Sequence, residues 1–288
     1  MHWILSAFPD EASTDSKEQI SALQRAQLTH TDLRGIDGFN IAELPLDNAR
    51  KIKKQLDEAD ITVNMLGTPL GKIDIADDFE TDRKKLAHLA ELAPIFECFS
   101  LRIFSYYNQE NRPEDEFREE ALRRLNLLKE DARRFGLVLF HENERDIFGD
   151  SCERNLILIE ELRDDKTFKT IFDFDNYNQV GENVWDNWLR LREATDAFHL
   201  KDSTAQHQHV PIGQGNGHAQ EILSDALNRG WIGSLSVEPH LAHSDAVMST
   251  HAGGSQNQEY GKLPLPDSFH AGVTIAQQLL EDIRAQWT

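Results

Sequence analysis

Eight short apolar runs of β-type composition recur along the chain, and segments of helix length separate most of them. They cover residues 3–7, 30–34, 61–66, 100–104, 137–142, 170–173, 197–200 and 234–238. Strands that alternate with helices call for a parallel sheet, because a parallel pair needs a long crossover and a helix is its usual form. Eight such units within 288 residues favour closure into a barrel over an open doubly wound sheet. The expected fold is therefore α/β, a (β/α)8 TIM barrel forming one domain over 1–288. The helical pattern agrees: beyond Pro113, residues Phe117, Ala121, Leu125 and Leu128 share one face while Glu and Arg fill the other, and Phe269, Val273, Ala276, Leu280 and Ile283 do the same in the last helix. No GxGxxG or GxxxxGK[ST] follows the first run, which removes the usual support for a dinucleotide or P-loop fold.

Composition narrows the class. With 39% hydrophobic and 28% charged residues, the chain suits a soluble enzyme with a large core. Cys98 and Cys152 lie far apart with no CxxC spacing, which argues against a zinc ribbon or a stapled secreted fold. The opening apolar stretch is broken at once by Pro9-Asp10-Glu11, too soon for a signal peptide or membrane span. A cytoplasmic protein without a membrane partner is the expectation. The net charge of -20 repels phosphate backbones, so nucleic acid is not an expected partner, and the acidity is read as a solvated exterior.

Four of the runs end in a hard acid or base: Glu142, Asp173, His199 and Glu238. The strands of a (β/α)8 barrel all point their carboxyl ends at one face, so these side chains converge there. Taken singly, a strand-end carboxylate is more simply a helix cap or ion-pair partner, and a lone histidine a hydrogen-bonded core residue. Together, on strands five to eight, they read as one divalent-metal site. An oxygen-rich set with one imidazole suits Mn²⁺ or Mg²⁺ first, then Co²⁺ or Zn²⁺, and the lack of thiolates argues against a closed structural zinc. Four protein ligands leave room on an octahedral ion for a substrate hydroxyl and its neighbouring carbonyl. Polarising that carbonyl acidifies the adjacent C–H, and Glu142 and Glu238 are the natural acid/base pair to move the proton.

Other polar residues rank below these four. Strand alternation puts Lys201 on the ligand side, where it steadies an oxyanion or pairs with a carboxylate. Arg34, Lys72 and Arg102 stand at or just past strand ends, as substrate contacts or as counter-charges to the acidic cluster. Glu144 binds substrate or caps the next helix. His240, after the rigid Pro239, is read as a substrate contact or a donor to a ligand carboxylate. His207, His209, His243 and His251 lie in polar loops and are read as solvated. The GxGxG run at Gly213, Gly215 and Gly217 lacks a βαβ context and is read as a tight loop. Trp3, Phe8, Phe104 and Tyr107 are candidates to line a sugar pocket or to pack in the core. The long loops after the seventh and eighth runs leave the carboxyl face and are expected to cover substrate.

These residues carry a family resemblance. The segments Phe8-Pro9-Asp10-Glu11, Leu33-Arg34-Gly35, Gly67-Thr68-Pro69-Leu70-Gly71-Lys72, Leu101-Arg102-Ile103-Phe104-Ser105, His141-Glu142-Asn143-Glu144, Phe172-Asp173-Phe174-Asp175-Asn176, His199-Leu200-Lys201-Asp202 and Ser236-Val237-Glu238-Pro239-His240 resemble, in order and spacing, the sugar phosphate isomerase/epimerase superfamily with the xylose-isomerase-like barrel. The resemblance spans nearly the whole chain. It implies one divalent metal on Glu142, Asp173, His199 and Glu238, with both glutamates as acid and base. It also implies a small carbohydrate-type substrate and leaves a homodimer open. Two positions depart from many relatives: Asn176 stands where a histidine is common and Asp32 where a glutamate is common. Asn176 can hydrogen-bond a hydroxyl but cannot shuttle protons.

The expected activity is metal-dependent isomerisation or epimerisation beside a carbonyl. Dehydration of a cyclic polyol ketone is the alternative with the same metal and base, and a non-catalytic metal- or sugar-binding relative is another. An endonuclease is disfavoured by the acidic charge and the scarcity of histidine ligands.

Overall fold

The computed structural model describes residues 3–250 and 253–287; His251 lies outside them. Eight strands alternate with helices as the sequence predicts: β1 (Ile4–Ala7), β2 (His30–Leu33), β3 (Thr62–Leu66), β4 (Ser100–Ile103), β5 (Val138–Glu142), β6 (Phe168–Asp173), β7 (Thr195–Leu200) and β8 (Ser234–Val237). Their spatial order is β1-β8-β7-β6-β5-β4-β3-β2, with every hydrogen-bonded pair parallel. The two edges face each other, and the Thr31 hydroxyl of β2 donates to the Ala7 carbonyl of β1 at 3.4 Å. The sheet is thus a nearly closed (β/α)8 barrel.

The helices are α1 (Ser16–Arg25), α2 (Leu46–Glu58), α3 (Glu80–Phe96), α4 (Glu114–Phe135), α5 (Cys152–Leu162), α6 (Phe174–Gln179), α7 (Val184–Leu191), α8 (Ala219–Asn228), α9 (Asp245–Ser249) and α10 (Leu265–Trp287). Phe117, Ala121, Leu125 and Leu128 of α4 are all buried, as are Phe269, Val273, Ala276, Leu280 and Ile283 of α10. Acidic residues open α4, Arg133 and Arg134 close it, and Gly136 ends it in the left-handed conformation; each choice matches the helix dipole or the C-terminal turn. Both cysteines are free and buried. Among the described residues no helix is long and apolar enough to cross a membrane.

Two features at the carboxyl face hold its loops in place. In the loop after β3, Gly71 has φ +81° and a Cβ there would lie 2.1 Å from the Phe104 carbonyl oxygen, so only glycine fits. Its N–H donates to Asp82 of α3 at 2.9 Å, which positions Lys72 beside it. In the loop after β7, the GxGxG run wraps the Asp202 carboxylate. Gly213 and Gly215 donate to Oδ2 at 3.0 Å each and Gly217 to Oδ1 at 2.9 Å. The tight-loop reading of this motif holds, with a buried carboxylate as its centre. The loops after β7 and β8 are also stitched together. Ser255 N–H donates to the His207 carbonyl and His209 N–H to the Ser255 carbonyl, both at 2.9 Å, and the Asn257 amide donates to the His209 carbonyl at 3.0 Å.

Two predictions follow from this packing. A Cβ at position 215 would stand 2.3 Å from Asp202 Oδ1 and 2.4 Å from the Ser203 carbonyl oxygen, so Gly215→Ala should lower unfolding stability by about 1–3 kcal/mol, measured by denaturant titration; an unchanged midpoint would refute the account. Asp82 supplies a pH dependence. Burial raises its carboxyl from 3.8 to about 6 against the pull of the Gly71 amide. The folded state therefore holds this proton where the unfolded chain has lost it, and the contribution fades as pH rises through about 6. Relative to wild type, Asp82→Asn should gain about 2 kcal/mol between pH 4.5 and pH 7.5; parallel stability curves for the two proteins would overturn this.

Candidate metal centre

Inward alternation at the ends of β5, β6 and β7 presents Glu142, Asp173 and His199, and Glu238 follows β8 directly. All four are buried, and one ligand atom from each lies within 4.8 Å of the others. The set forms because register brings it together: Asp173 pairs with His199 across β6–β7, and His199 with Ser236 across β7–β8. His199 Nδ1 stands 2.9 Å from Glu142 Oε1 and 3.6 Å from Glu238 Oε2. Asp173 caps α6 by accepting from the Asn176 backbone N–H at 2.8 Å. The Asn143 side chain ties β5 to β6, accepting from Asp173 N–H at 2.9 Å and donating to its carbonyl at 3.1 Å. The Phe8 ring meets the edge of His199 at a centroid distance of 5.4 Å.

Three cations surround this set. Arg102 Nη1 lies 3.3 Å from Glu142 Oε2 and 3.9 Å from Glu238 Oε1. Lys201 Nζ lies 3.2 Å from Asp173 Oδ2 and 3.9 Å from Glu238 Oε2. Arg34 pairs with Glu238 through Nη1, while its Nε and Nη2 grip Asp10 at 2.8 and 2.9 Å. Glu11 completes the cluster, 3.9 Å from Arg34. Five buried carboxylates, Asp10, Glu11, Glu142, Asp173 and Glu238, thus face three buried fixed cations.

The titration directions reflect the same crowding. Burial pushes Glu142 up, but His199 and Arg102 outweigh it and bring the carboxyl down to about 2. Burial likewise opposes the ionised form of Glu238, yet Lys201, His240 and Arg34 hold it well below the usual range. For Asp173, burial wins over Lys201, and the adjacent Glu142 charge adds to it, so the carboxyl is raised. Glu142 Oε2 and Asp173 Oδ2 are buried without a hydrogen bond. Each meets a cation, Arg102 or Lys201, but no hydrogen-bond donor, and buried carboxylate oxygens of this kind in an oxygen-rich, thiolate-free set are what a hard divalent cation would satisfy. Glu11, Glu238 and His240 also place ligand atoms within 4.8 Å of one another, but Arg34 already sits against Glu238 and near Glu11 and fills that role as the cation.

Of the seven residues singled out beside the ligands, six line one small chamber: Lys72, Arg102, Glu144, Asn176, Lys201 and His240. Arg34 does not line it and instead braces Glu238 from behind. Lys72 pairs with Glu144 at 2.9 Å. Asn176 donates to the Asn143 carbonyl at 2.8 Å and reaches Glu142 Oε1 at 3.4 Å. His240 Nε2 lies 3.2 Å from Glu238 Oε1; burial opposes its charge and lowers its pKa to about 3, so the ring is neutral at physiological pH.

Several expectations need correction. His209 is not solvated: it is fully buried, lines the chamber, and its Nε2 lies 3.3 Å from Asp175. Asp175, missed in the sequence, follows Asp173 by two residues and faces the same chamber. Asp32 is not in the pocket. It sits buried inside the barrel, accepting from Asn64 at 2.8 Å, and Asn64 in turn reaches Ser6 at 3.3 Å. Trp3 belongs with Trp231, to whose carbonyl it donates at 2.8 Å, and is no part of the site. Phe8 and Phe104 do belong to it, under the cations: Arg34 and Arg102 stack on Phe8, and Lys72 and Arg102 on Phe104.

With this geometry in view, comparison with known proteins is informative. The sequence profile described as xylose isomerase-like TIM barrel matches residues 26–258. The chain belongs to this family. No curated protein sequence matches it. Among solved structures, it is similar to a probable 3-DHS dehydratase, AsbF, of Bacillus anthracis (TM-score 0.70, 18% identity, covering 96% of this chain and 99% of that one). It is also similar to a D-tagatose 3-epimerase-like protein (0.74, 15%, 99% and 99%) and to the 3-keto-D-glucoside 4-epimerase YcjR of E. coli (0.66, 15%, 94% and 99%). At these identities the likeness establishes the shared barrel.

The four-residue set leads to a direct test. After chelator treatment, added Mn²⁺ should bind with one equivalent per chain and raise thermal stability, by about 2.7 kcal/mol at a hundredfold excess over Kd. Asp173→Asn should weaken binding at least about tenfold, measured by calorimetry. Unchanged affinity in that variant would rule the site out.

Proposed function

We propose that the protein is a divalent-metal-dependent isomerase or epimerase of a sugar, or of a sugar-derived hydroxy-carbonyl compound. The observation that carries this reading is the pair Glu142 and Glu238. They come from strand ends separated by β6 and β7 and reach the same imidazole nitrogen, at 2.9 and 3.6 Å, within one buried chamber. Mn²⁺ or Mg²⁺ bound by Glu142, Asp173, His199 and Glu238, with Co²⁺ or Zn²⁺ as the next choices, would polarise a substrate carbonyl.

The chain's own groups do the rest. Two carboxylates flanking a substrate carbon let one remove the proton beside the carbonyl while the other, once protonated, returns one. Return on the opposite face gives the epimer, and return to the neighbouring carbon gives the aldose–ketose isomer. Arg34, held by Asp10, and His240 fix the orientation of Glu238. Arg102 and Lys201 oppose the build-up of negative charge on a substrate oxygen, in a site where burial strengthens each such contact. Lys72, Glu144, Asn176 and His240 offer hydrogen bonds to hydroxyls, the polar groups a carbohydrate presents in number. Sugar-directed epimerases among the structural relatives support a carbohydrate substrate.

A second reading is a dehydratase, in which the same base expels a β-hydroxyl as water. The likeness to a probable 3-DHS dehydratase supports it. Deuterium wash-in from heavy water over ketoses, inososes and 2-keto sugar acids separates the two, because isomerisation conserves mass apart from exchange whereas dehydration removes eighteen mass units. Glu142→Gln and Glu238→Gln should each lower exchange by about 10²–10⁴-fold while circular dichroism stays as in wild type. Near-normal exchange in either variant would sink the paired-carboxylate mechanism.

A further inference from the structure

Next to the metal chamber lies a second, larger cleft that the proposed proton transfer does not use. Its volume is about 680 Å³, within the range of small-molecule sites, whereas the chamber itself measures about 10 Å³, room for roughly one water. The two spaces share Lys72 and Glu144 in their walls. The partition between them is a single ion pair, Lys72 Nζ to Glu144 Oε2 at 2.9 Å, with the Thr250 carbonyl as a second acceptor for the lysine at 3.1 Å. A substrate whose reacting carbon lies between Glu142 and Glu238 and which exceeds the chamber has its remainder in this cleft.

The walls select the chemistry of that remainder. Tyr107 is half-buried there, and its backbone is pinned on both sides: its N–H donates to the Ile73 carbonyl at 3.0 Å and its carbonyl accepts from Ile75 at 2.8 Å. The ring thus lines the cleft from a backbone held in place. Burial, with Glu144 and Asp146 close by, raises the Tyr107 hydroxyl above its ordinary range, so it remains a hydrogen-bond donor. Gln109 adds an exposed amide at the rim. An anionic remainder such as a phosphate is disfavoured. Four carboxylates, Asp74, Asp77, Glu144 and Asp146, line the cleft against two cations, and both cations are already paired, Lys72 with Glu144 and Arg145 with Asp146 at 3.1 Å. An aromatic face ringed by amide and carboxylate groups suits a neutral, hydroxyl-rich ring, which presents C–H surface to the aromatic and hydroxyls to the acceptors.

We infer that this cleft is a sugar site and that the substrate is a two-ring glycoside, with only the reacting carbon entering the metal chamber, its ring at the Lys72–Glu144 mouth of the cleft and a neutral partner ring against Tyr107. This rests on the isomerase/epimerase reading for the reacting ring. It goes beyond that reading in naming the substrate as larger than a monosaccharide and unphosphorylated on its distal ring.

Binding tests the subsite without turnover. Calorimetric titration of the Mn²⁺-loaded protein with glucose, cellobiose, maltose and trehalose should show at least one disaccharide binding roughly tenfold tighter than glucose. Tyr107→Ala should bring that ratio to within about twofold of one, and Tyr107→Trp, which keeps an aromatic face, should restore most of it. Should Tyr107→Ala fail to fold, Gln109→Ala, at an exposed position, takes its place with the same reduction expected. The inference is overturned if no disaccharide outbinds glucose, or if the preference survives loss of the ring or, in its stead, of the amide. Wash-in on the same protein keeps the two readings apart: exchange without a disaccharide preference sinks the subsite alone, and preference without exchange sinks the reaction and leaves a sugar-binding cleft.

Discussion

Carboxylates buried together at the end of a barrel are the constraint on which this structure turns. An ionised carboxylate taken out of water costs several kcal/mol unless it is paired and hydrogen-bonded, and here five of them share one region. The chain answers with three cations, each immobilised by a different means: Arg34 by the two oxygens of Asp10, Lys201 by Asp173, and Arg102 by the Gly67 carbonyl at 3.4 Å and two phenylalanine rings. Phe8 stands between the two guanidiniums, 4.9 Å from one and 5.1 Å from the other. Its ring needs Gly67, where a Cβ would approach to 2.7 Å. A glycine in one loop thus sets an aromatic ring, the ring orders two arginines, and the arginines orient both glutamates.

Much of this arrangement was legible in the sequence because it is local. All eight strands were visible as apolar runs, and the four candidate ligands stood at the ends of the last four. The limits of β6 and β7 were less clear. Both begin two residues earlier than their apolar runs, since Lys169 and Asp196 interrupt the pattern at the outer end of the barrel. Asp196 is kept there by function in the sheet, accepting from Thr170 N–H at 3.0 Å and from Arg163 at 3.0 Å. His209 was illegible for a different reason. A histidine among Gln, Gly and Asn reads as solvated, and its burial depends on Asp175 of the preceding unit and Asn257 of the following one. No window of sequence contains all three.

The departures from relatives also acquire distinct meanings. Asn176 carries an amide whose protonation does not change with pH, at a position that touches both Asn143 and Glu142. That position therefore contributes shape and hydrogen bonding and no proton traffic. Asp32 belongs to a polar layer inside the barrel with Asn64 and Ser6. It bears on how the barrel interior is filled at β2, where the register shifts between Thr31 and Asp32, and not on substrate choice.

The stitching between the loops after β7 and β8 has a consequence for divergence within the family. Because backbone hydrogen bonds run both ways between residues 207–209 and Ser255, with Asn257 closing the seam, a shift of either segment alone would unpair the backbone of the buried His209. The two loops form one heritable unit although almost fifty residues separate them. A change of length in one of them therefore calls for a compensating change in the other, whereas Lys72 of the loop after β3 meets this unit at the Thr250 carbonyl through a side chain, a contact that tolerates change on one side.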